Sequence, residues 1–463
     1  MRFLKTFFNF ISGIIPGGLP SVAIARRLLL YPTITFHVMQ TNAQDLKPIV
    51  TFDSTGARLE EYFIVNRDSL MIEGVYKKYY PNGNVEVLGQ YKNGLRTGLF
   101  EEYYETGIKK RDLHYDNNMK NGEVKVFDES GNIIQTGFFK NDTLVNRLLL
   151  YYDDGKLKSQ SYFRNGKPDG QVIEYYRNGN PREVIHYLDG RQNGLNIIFY
   201  EDSTIASEAQ YRNGVLEGFF KTYYSNGQME TMFENRTGEK NGSFIKFNQE
   251  GIKIIEGFYK DGRMDGISQN YFDSGKLKSI NNFSKGYLTG ESIFYNEAGW
   301  IEKKVKYSND EKEYGIREFY DDGQLKAEKY MKDGQGEGTW KYYYRNGADS
   351  LTENYLGGRK NGLSRYYDKK GIPTIEEPWV FGLITGTVRT FYSSGNVRTE
   401  TEYKTDRKHG KFSAWYENGS QEWAGTYTGN RKTGEWTHFD KKGKADKKEI
   451  YQNNVLIEEI NLQ

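Results

Sequence analysis

The sequence predicts an all-β protein, an elongated single-sheet array of about sixteen tandem 24-residue β-hairpin repeats. Three observations predict it. Stepping by 24 residues from Gly74 to Gly434 meets glycine at fourteen of sixteen positions, with Asn146 and Tyr314 the exceptions. Five residues after each anchor there is an aromatic ring in every copy: Tyr79, Tyr103, Phe127, Tyr151, Tyr175, Phe199, Tyr223, Phe247, Tyr271, Tyr295, Phe319, Tyr343, Tyr367, Phe391, Trp415 and Phe439. Nine residues after each anchor glycine returns, as Gly83, Gly107, Gly131 and onward to Gly443, broken only by Ser203. Positions within a copy are counted below from the anchor, which is position 0.

Turn and strand chemistry account for each element. Asn82-Gly83, Asn178-Gly179, Asn226-Gly227, Asn346-Gly347 and Asn418-Gly419 are dipeptides of the two-residue type I′ turn, whose central residues both need φ above zero. They predict a hairpin in each copy. In the first copy Val85, Val87, Gly89 and Tyr91 alternate with polar neighbours, the period-two pattern of a strand with one apolar face. A second ring recurs at position 17, as in Tyr91, Tyr115, Phe139, Phe163, Tyr187 and Tyr211, and is missed only at Asn235 and Met331. Position 20 is always Gly, Asn or Asp, so a second turn, as at Asn93-Gly94 or Asp261-Gly262, leads into the next copy. A single hairpin is marginal in water, so the copies must stack, and the invariant rings are expected to carry that stacking.

Composition narrows the function classes. With 64 Lys+Arg against 62 Asp+Glu the formal charge is only +2, which lacks the basic field that gathers nucleic acid by counterion release. There are 38 Tyr and 27 Phe, so flat amphipathic rings supply much of the apolar content. Fifty-one glycines against nine prolines favour tight turns over proline-rich linkers. The absence of cysteine excludes disulfides, thiolate zinc sites, a cysteine nucleophile and a lipoprotein anchor.

The chain divides into residues 1–45, a targeting or anchor segment; 46–73, a degraded first repeat with Phe52 and Gly56; and 74–463, the array. Arg2 and Lys5 precede an apolar run from Thr6 to Leu19, and Ala23-Ile24-Ala25 has the small-x-small form of a signal-peptidase site. A second candidate starts at Arg26-Arg27, with Pro32 and His37 interrupting its apolar run. Neither reaches the roughly 20 apolar residues of a spanning helix. Cleavage and export to the periplasm, cell surface or medium are therefore expected, with a cytoplasmic or membrane-associated chain as the alternative.

The 24-residue period and the pattern Gly-x4-Tyr-Tyr-x2-Gly followed by a ring and Lys-Asn-Gly, as in Gly98-Leu-Phe-Glu-Glu-Tyr103-Tyr104-Glu-Thr-Gly107, resemble the MORN repeat, especially its bacterial variant. The resemblance spans residues 74 to 458. It implies a twisted sheet of hairpins with a grooved aromatic face, and roles in phospholipid binding, self-association or accessory platforms; an antitoxin role is implied for some bacterial variants. The chain departs from the pattern between Ser308 and Gly338, where Tyr314 and Met331 replace the anchor and second ring, and between Gly371 and Gly386, where Pro373 and Pro378 are expected to weaken strand pairing.

Candidate chemistry is sparse. His37, His114, His186, His409 and His438 lie several copies apart, so neither a metal site nor a proton relay is expected. Paired carboxylates such as Glu101-Glu102 and Asp153-Asp154 fall on exposed or turn positions, and no glycine run has the form of a phosphate loop. The expectation is no enzyme, no cofactor and no metal. Two features could bind. One is a second ring directly after the invariant one, at Tyr80, Tyr104, Tyr152, Tyr176, Tyr200 and Tyr224, which must face the other side of the strand. The other is a basic residue before the second turn, at Lys92, Lys140, Arg164 and Arg212, able to meet polyanions, although edge lysines also discourage aggregation. The leading expectation is a non-enzymatic scaffold or protein-interaction surface with a protein partner or self-association. A phospholipid- or polysaccharide-binding module is the alternative, and an antitoxin-like component a third.

Overall fold

The computed structural model describes residues 46–65, 71–308 and 311–462; the leader expected over residues 1–45 lies outside the described residues. Within them the protein is all β, with 41 strands and no helix. The chain falls into two compact units, one reaching to Pro181 and taking in Tyr187–Gly190, the other comprising Arg182–His186 and Arg191 onward. Each unit is a meander of antiparallel hairpins, one hairpin per repeat. In the first unit a typical copy pairs Leu95–Tyr103 with Lys109–Asp116; in the second, Val215–Tyr223 pairs with Met229–Arg236.

The two turns exchange the roles the sequence suggests. At the first turn only the glycine is left-handed: Gly83 has φ 87° while Asn82 does not enter that region. The Gly83 N–H donates to the Tyr80 carbonyl at 2.9 Å and the Tyr80 N–H to that of Asn84 at 2.8 Å. This is a type I turn closed by a left-handed residue, the three-residue hairpin loop, rather than type I′. Asn82 instead accepts the Asn84 N–H on its side-chain oxygen at 2.9 Å, as an Asx turn. The type I′ geometry belongs to the second turn, where Asn93 and Gly94 have φ of 51° and 74°, and Asn117 and Asn118 of 50° and 70°. Asparagine and glycine are thus needed at both turns, for different reasons.

The anchor glycine marks a bulge. Gly98, Gly122 and Gly242 have φ of 74°, 135° and 125°, and pairing shifts register nearby, as between Leu113 and Tyr115. Asn146, which replaces glycine, also adopts φ 61°, a conformation asparagine tolerates. Tyr314 does not adopt it. Its strand pairs without a shift from Lys303↔Glu318 to Ser308↔Glu313, and Glu311 in the connection takes φ 72° instead. That copy keeps its length by moving slack from the bulge into the turn. The prolines expected to weaken pairing do not: Pro373–Val380 pairs with the preceding strand from Gly362↔Trp379 to Tyr367↔Pro373. Pro378 falls at the gap in pairing with the following strands, between Glu376↔Arg389 and Trp379↔Ile384, where a missing N–H is tolerated.

The core is a single cross-strand row made by positions 2 and 15. In the first unit it runs through the pairs Phe100↔Leu113, Leu113↔Val124, Val124↔Gly137, Leu148↔Ser161 and Ser161↔Val172. Its apolar members are almost wholly buried, Val124 at 1% exposure and Phe100, Leu113 and Leu148 at 3%. Tyr115, Phe139 and Phe163 at position 17 pack alongside. In the second unit the row continues in kind as Ala209↔Phe220, Phe220↔Phe233, Phe233↔Phe244 and Phe412↔Gly425, but takes in buried polar residues such as Ser268, Ser292, Ser364 and Glu353. Glu353 is held by Lys360 Nζ at 2.5 Å and the Tyr355 hydroxyl at 3.0 Å, which offsets the cost of burying a charge.

Size is compensated along the row. A Cβ on Gly89 would lie 2.3 Å from the Phe100 ring, and one on Gly425 would lie 2.2 Å from Trp436. Glycine is required there by the ring on the next strand and not by backbone conformation. Gly89→Ala and Gly425→Ala are each expected to destabilise the fold by about 1–3 kcal/mol through overpacking, read as a lower urea midpoint. The loss at Gly89→Ala should be largely recovered by adding Phe100→Leu.

Candidate functional site

The invariant rings do not form the stacking row expected of them. Tyr79, Tyr103, Phe127, Tyr151, Tyr175, Phe199, Tyr223, Phe247 and Tyr271 are half-buried at the ends of their strands. Their hydroxyls find chiefly glutamates as side-chain acceptors: Tyr79 donates to Glu61 at 2.7 Å, Tyr223 to Glu208 at 2.9 Å, Tyr271 to Glu256 at 2.5 Å with Gln269 Oε1 at 3.2 Å, and Tyr343 to Glu328 at 2.9 Å. Those glutamates pair with cations on the same face, Glu208 with Lys221, Glu256 with Lys253 and Glu328 with Arg317. Ring-to-ring contact runs instead through positions 2 and 17, as Tyr76–Tyr91 at 5.4 Å, Tyr91–Phe100 at 5.6 Å and Phe100–Tyr115 at 5.1 Å. Position 2 varies too much in the sequence, from Tyr76 through Val124 to Ser268, to announce itself. Cations at position 22 cover these rings, with Lys240 Nζ 3.8 Å from the Phe233 centroid and Lys432 Nζ 4.3 Å from that of Trp436.

The second ring row, a candidate ligand surface on sequence grounds, joins neighbouring copies. Tyr80 donates its hydroxyl to the Tyr103 carbonyl at 2.8 Å, Tyr104 to Phe127 at 2.9 Å, Tyr152 to Tyr175 at 2.7 Å, Tyr200 to Tyr223 at 2.7 Å and Tyr224 to Phe247 at 3.0 Å. Each bond reaches the residue carrying the next invariant ring. Tyr176 occupies the same place, its N–H closing the turn on the Asn180 carbonyl at 2.8 Å. Cations flank the rings: Arg177 and Lys158 lie 4.7 and 5.7 Å from Tyr152. Arg177 also pairs with Asp153 at 2.7 Å and holds that carboxyl below its ordinary range. Where position 6 is not tyrosine it is commonly Asp or Asn turned to its own loop, as Asp128 accepting from Ser130 and Asn132 N–H groups, both at 2.9 Å.

Lys92, Lys140, Arg164 and Arg212 lie exposed at the edge formed by the second turns, with Arg164 paired to Asp169. The turns beside them are tied back to the preceding hairpin. Gly94 N–H donates to the Ile72 carbonyl at 2.9 Å and Asn118 N–H to that of Arg96 at 3.1 Å. Asn118 and Asp142 also accept the Arg96 and Lys120 N–H groups on their side chains, at 2.7 and 2.8 Å. The histidines stay apart: His114 Nδ1 is 2.8 Å from the Glu123 carbonyl oxygen, His186 Nδ1 2.5 Å from that of Leu195, and His438 Nδ1 2.5 Å from Asp446. Among the described residues no group of three His, Cys, Asp or Glu is placed to hold a metal ion.

The hairpin with its two tied turns matches a known sequence family. The MORN repeat variant matches eight segments, residues 72–93, 96–117, 120–141, 146–165, 168–189, 264–285, 288–309 and 384–405. These are MORN repeats. Most matched segments run from position 22 of one copy to position 19 of the next, and six of them end one residue before the N–H that ties the second turn back to the segment's own first residue. No curated protein sequence matches the chain. Solved structures similar to it include a crystal structure of TcdB2-TccC3-TEV, 10% identical with a TM-score of 0.15 over 89% of this chain and 26% of that one. A Photorhabdus luminescens Tc holotoxin pore is 11% identical with a TM-score of 0.14 over 88% and 26%. The chain thus spans about a quarter of the length of those solved chains.

Two outcomes follow from the MORN geometry. Tyr152→Phe and Tyr344→Phe, which delete hydroxyls bonded to the next copy at 2.7 Å, are each expected to cost about 0.5–1.5 kcal/mol in urea unfolding, while Tyr162→Phe, an exposed side chain outside this row, should cost less. The second outcome concerns alkaline pH. Burial and carboxylate neighbours push Tyr223, Tyr342, Tyr343 and Tyr366 up to about 12. Their folded values lie above the unfolded value of about 10, so the stability they contribute is complete below pH 10 and is lost as pH rises toward 12. Phenolate absorbance should show a class of tyrosines ionising late and together with unfolding.

Proposed function

We propose that this MORN-repeat protein is a non-enzymatic scaffold that presents a protein-binding surface, exported in a bacterium. The observation that carries the reading is an apolar row on the face of the second unit opposite its core. Phe219 is 46% exposed, Phe258 55% and Ile267 53%, at positions 1 and 16 of successive copies. Large apolar side chains left open on one face of a regular sheet, with Glu234 and Ser243 between Phe219 and Phe258, favour a partner that covers them. The partner is a protein, because an extended sheet face supplies contact area and not an enclosed pocket. Export rests on the leader-like segment with Arg2, Lys5 and Ala23-Ile24-Ala25. Absence of catalysis rests on the separation of the histidines and on the engagement of carboxylates in turns and ion pairs.

A second reading is favoured by the exposed basic edge at Lys92, Lys140, Arg164 and Arg212, which suits an anionic lipid surface. The test is crosslinking and pull-down of tagged protein from the periplasmic and membrane fractions of its native host. A specific protein or a second copy should be captured, and Phe219→Asp with Phe258→Asp should abolish capture without lowering the melting temperature. Recovery only from the cytoplasm, or capture unchanged by the two substitutions, would sink the reading. Salt-sensitive retention on anionic vesicles, lost when the four basic residues become alanine, would favour the second.

A further inference from the structure

The copy beginning at Gly290 lacks the position-6 tyrosine, as do the two copies before it, where Asn248 and Phe272 stand. Position 6 is Asn296, and its side-chain oxygen accepts the Trp300 N–H at 3.0 Å, inside its own turn. In the next copy Tyr320 has the usual arrangement, its hydroxyl donating to the Tyr343 carbonyl at 2.8 Å. No tyrosine hydroxyl from the Gly290 copy therefore reaches the carbonyl of Phe319, the invariant ring that follows it. A depression of about 220 Å³ lies here, lined by Asn296, Trp300, Ile301, Glu302, Phe319, Tyr320, Asp321 and Lys326. Trp300 is 54% exposed at its edge, so much of its indole is open to a ligand in the depression.

The walls are chemically uneven. Trp300, Phe319 and Tyr320 contribute aromatic rings, that of Tyr320 with Arg345 4.8 Å and Lys326 5.9 Å from its centroid. Glu302 and Asp321 are carboxylate acceptors, Asn296 offers an amide and Lys326 an ammonium group. Asp321 is kept ionised by Arg345 at 2.6 Å, which also lies over Tyr320 at 4.8 Å. The volume is below the ~300–1,000 Å³ of drug-sized pockets and suits one six-membered ring. A phenol would fill the space but has a single hydroxyl for several acceptors. A pyranose offers an apolar C–H face to an indole and several hydroxyls around its rim.

We propose that this depression is a glycan-binding subsite: a single pyranose unit occupies the place of the missing tyrosine, its ring on Trp300, one hydroxyl donating to the Phe319 carbonyl and others to Glu302 and Asp321. The site is independent of the protein-partner surface, since neither Phe219 nor Phe258 lines it. A tyrosine at position 6, whose hydroxyl in other copies takes the carbonyl of the next invariant ring as Tyr320 takes that of Tyr343, would compete for the Phe319 carbonyl.

That competition supplies the experiment. The full chain is titrated calorimetrically with maltohexaose, cellohexaose and chitohexaose, and with the monosaccharide of each. At least one hexasaccharide should bind the unaltered protein, with affinity reduced tenfold or more in both Trp300→Ala and Asn296→Tyr. The second variant restores the regular repeat and should melt no lower than the unaltered chain, so its loss of binding cannot come from unfolding. Monosaccharide binding as tight as that of the hexasaccharide would support a site for free sugar, and binding of the hexasaccharide alone a site for a polysaccharide chain. Absence of binding to all three hexasaccharides, binding retained in both variants, or displacement by phenol at the concentration of the sugar would overturn the proposal.

Discussion

The fold depends on keeping successive hairpins at one fixed offset, and hydrogen bonds at the two turn edges impose it. At one edge the N–H of position 20 reaches the carbonyl of the residue 22 places earlier, as Gly94 to Ile72 and Asn118 to Arg96. At the other, a tyrosine hydroxyl reaches a carbonyl 23 residues ahead, as Tyr152 to Tyr175. Neither contact survives a net insertion or deletion within the copy. This explains why the copy containing Tyr314 lengthens its turn when it loses its bulge. A single sheet layer buries little apolar surface per strand, so directional bonds at the edges do part of what a second packed layer does in a sandwich.

Between the edges the packing is less uniform. The first unit has a mostly apolar row from Phe100 to Val172 with Ser161 within it, whereas the second takes in several serines as well as carboxylates. The buried carboxylates are tolerable because neighbouring side chains supply partners, as Lys447 and Tyr451 do for Glu449. Elsewhere lysines at position 22 lie over the rings with their stems packed and their ammonium groups near the π face. Burial holds the ammonium groups of Lys120 and Lys432 below their usual range, the electrostatic signature of that arrangement.

Much of this was legible in the sequence, and what was not has a physical cause. The period, the hairpin, the alternation of Val85, Val87, Gly89 and Tyr91, and the need for Gly, Asn or Asp at position 20 follow from backbone rules that act locally. The type I′ turn was placed at Asn82-Gly83 because Asn-Gly is its strongest signal, yet the same dipeptide serves a type I turn with a left-handed third residue and an Asx bond. The invariant ring looked like the core because invariance suggests burial. Its constancy goes with a place beside the turn, where the main chain of the same residue receives the neighbouring tyrosine. The true core row at positions 2 and 15 was hidden by its variable size, since some large side chains face glycine on the neighbouring strand, as Phe100 faces Gly89 and Trp436 faces Gly425, while Phe220, Phe233 and Phe244 face one another. The depression beside Trp300 was invisible for a related reason: Asn296 reads as one more turn residue until the ring it replaces is seen in the other copies.

The complementarity of Gly89 with Phe100 and of Gly425 with Trp436 has a consequence for how such a gene can change. Tandem repeats are prone to unequal crossing-over, which removes or duplicates whole units in frame. At their edges the units are interchangeable, so a recombinant would keep every turn bond. Along the central row each unit is keyed to its neighbours by volume, and an excision that brought Phe233 against Trp436 would set two bulky rings where one ring and one glycine belong. Selection on that row therefore conserves the order of the units even where their individual sequences have drifted, and the array has a direction and an address at each copy that its periodicity conceals.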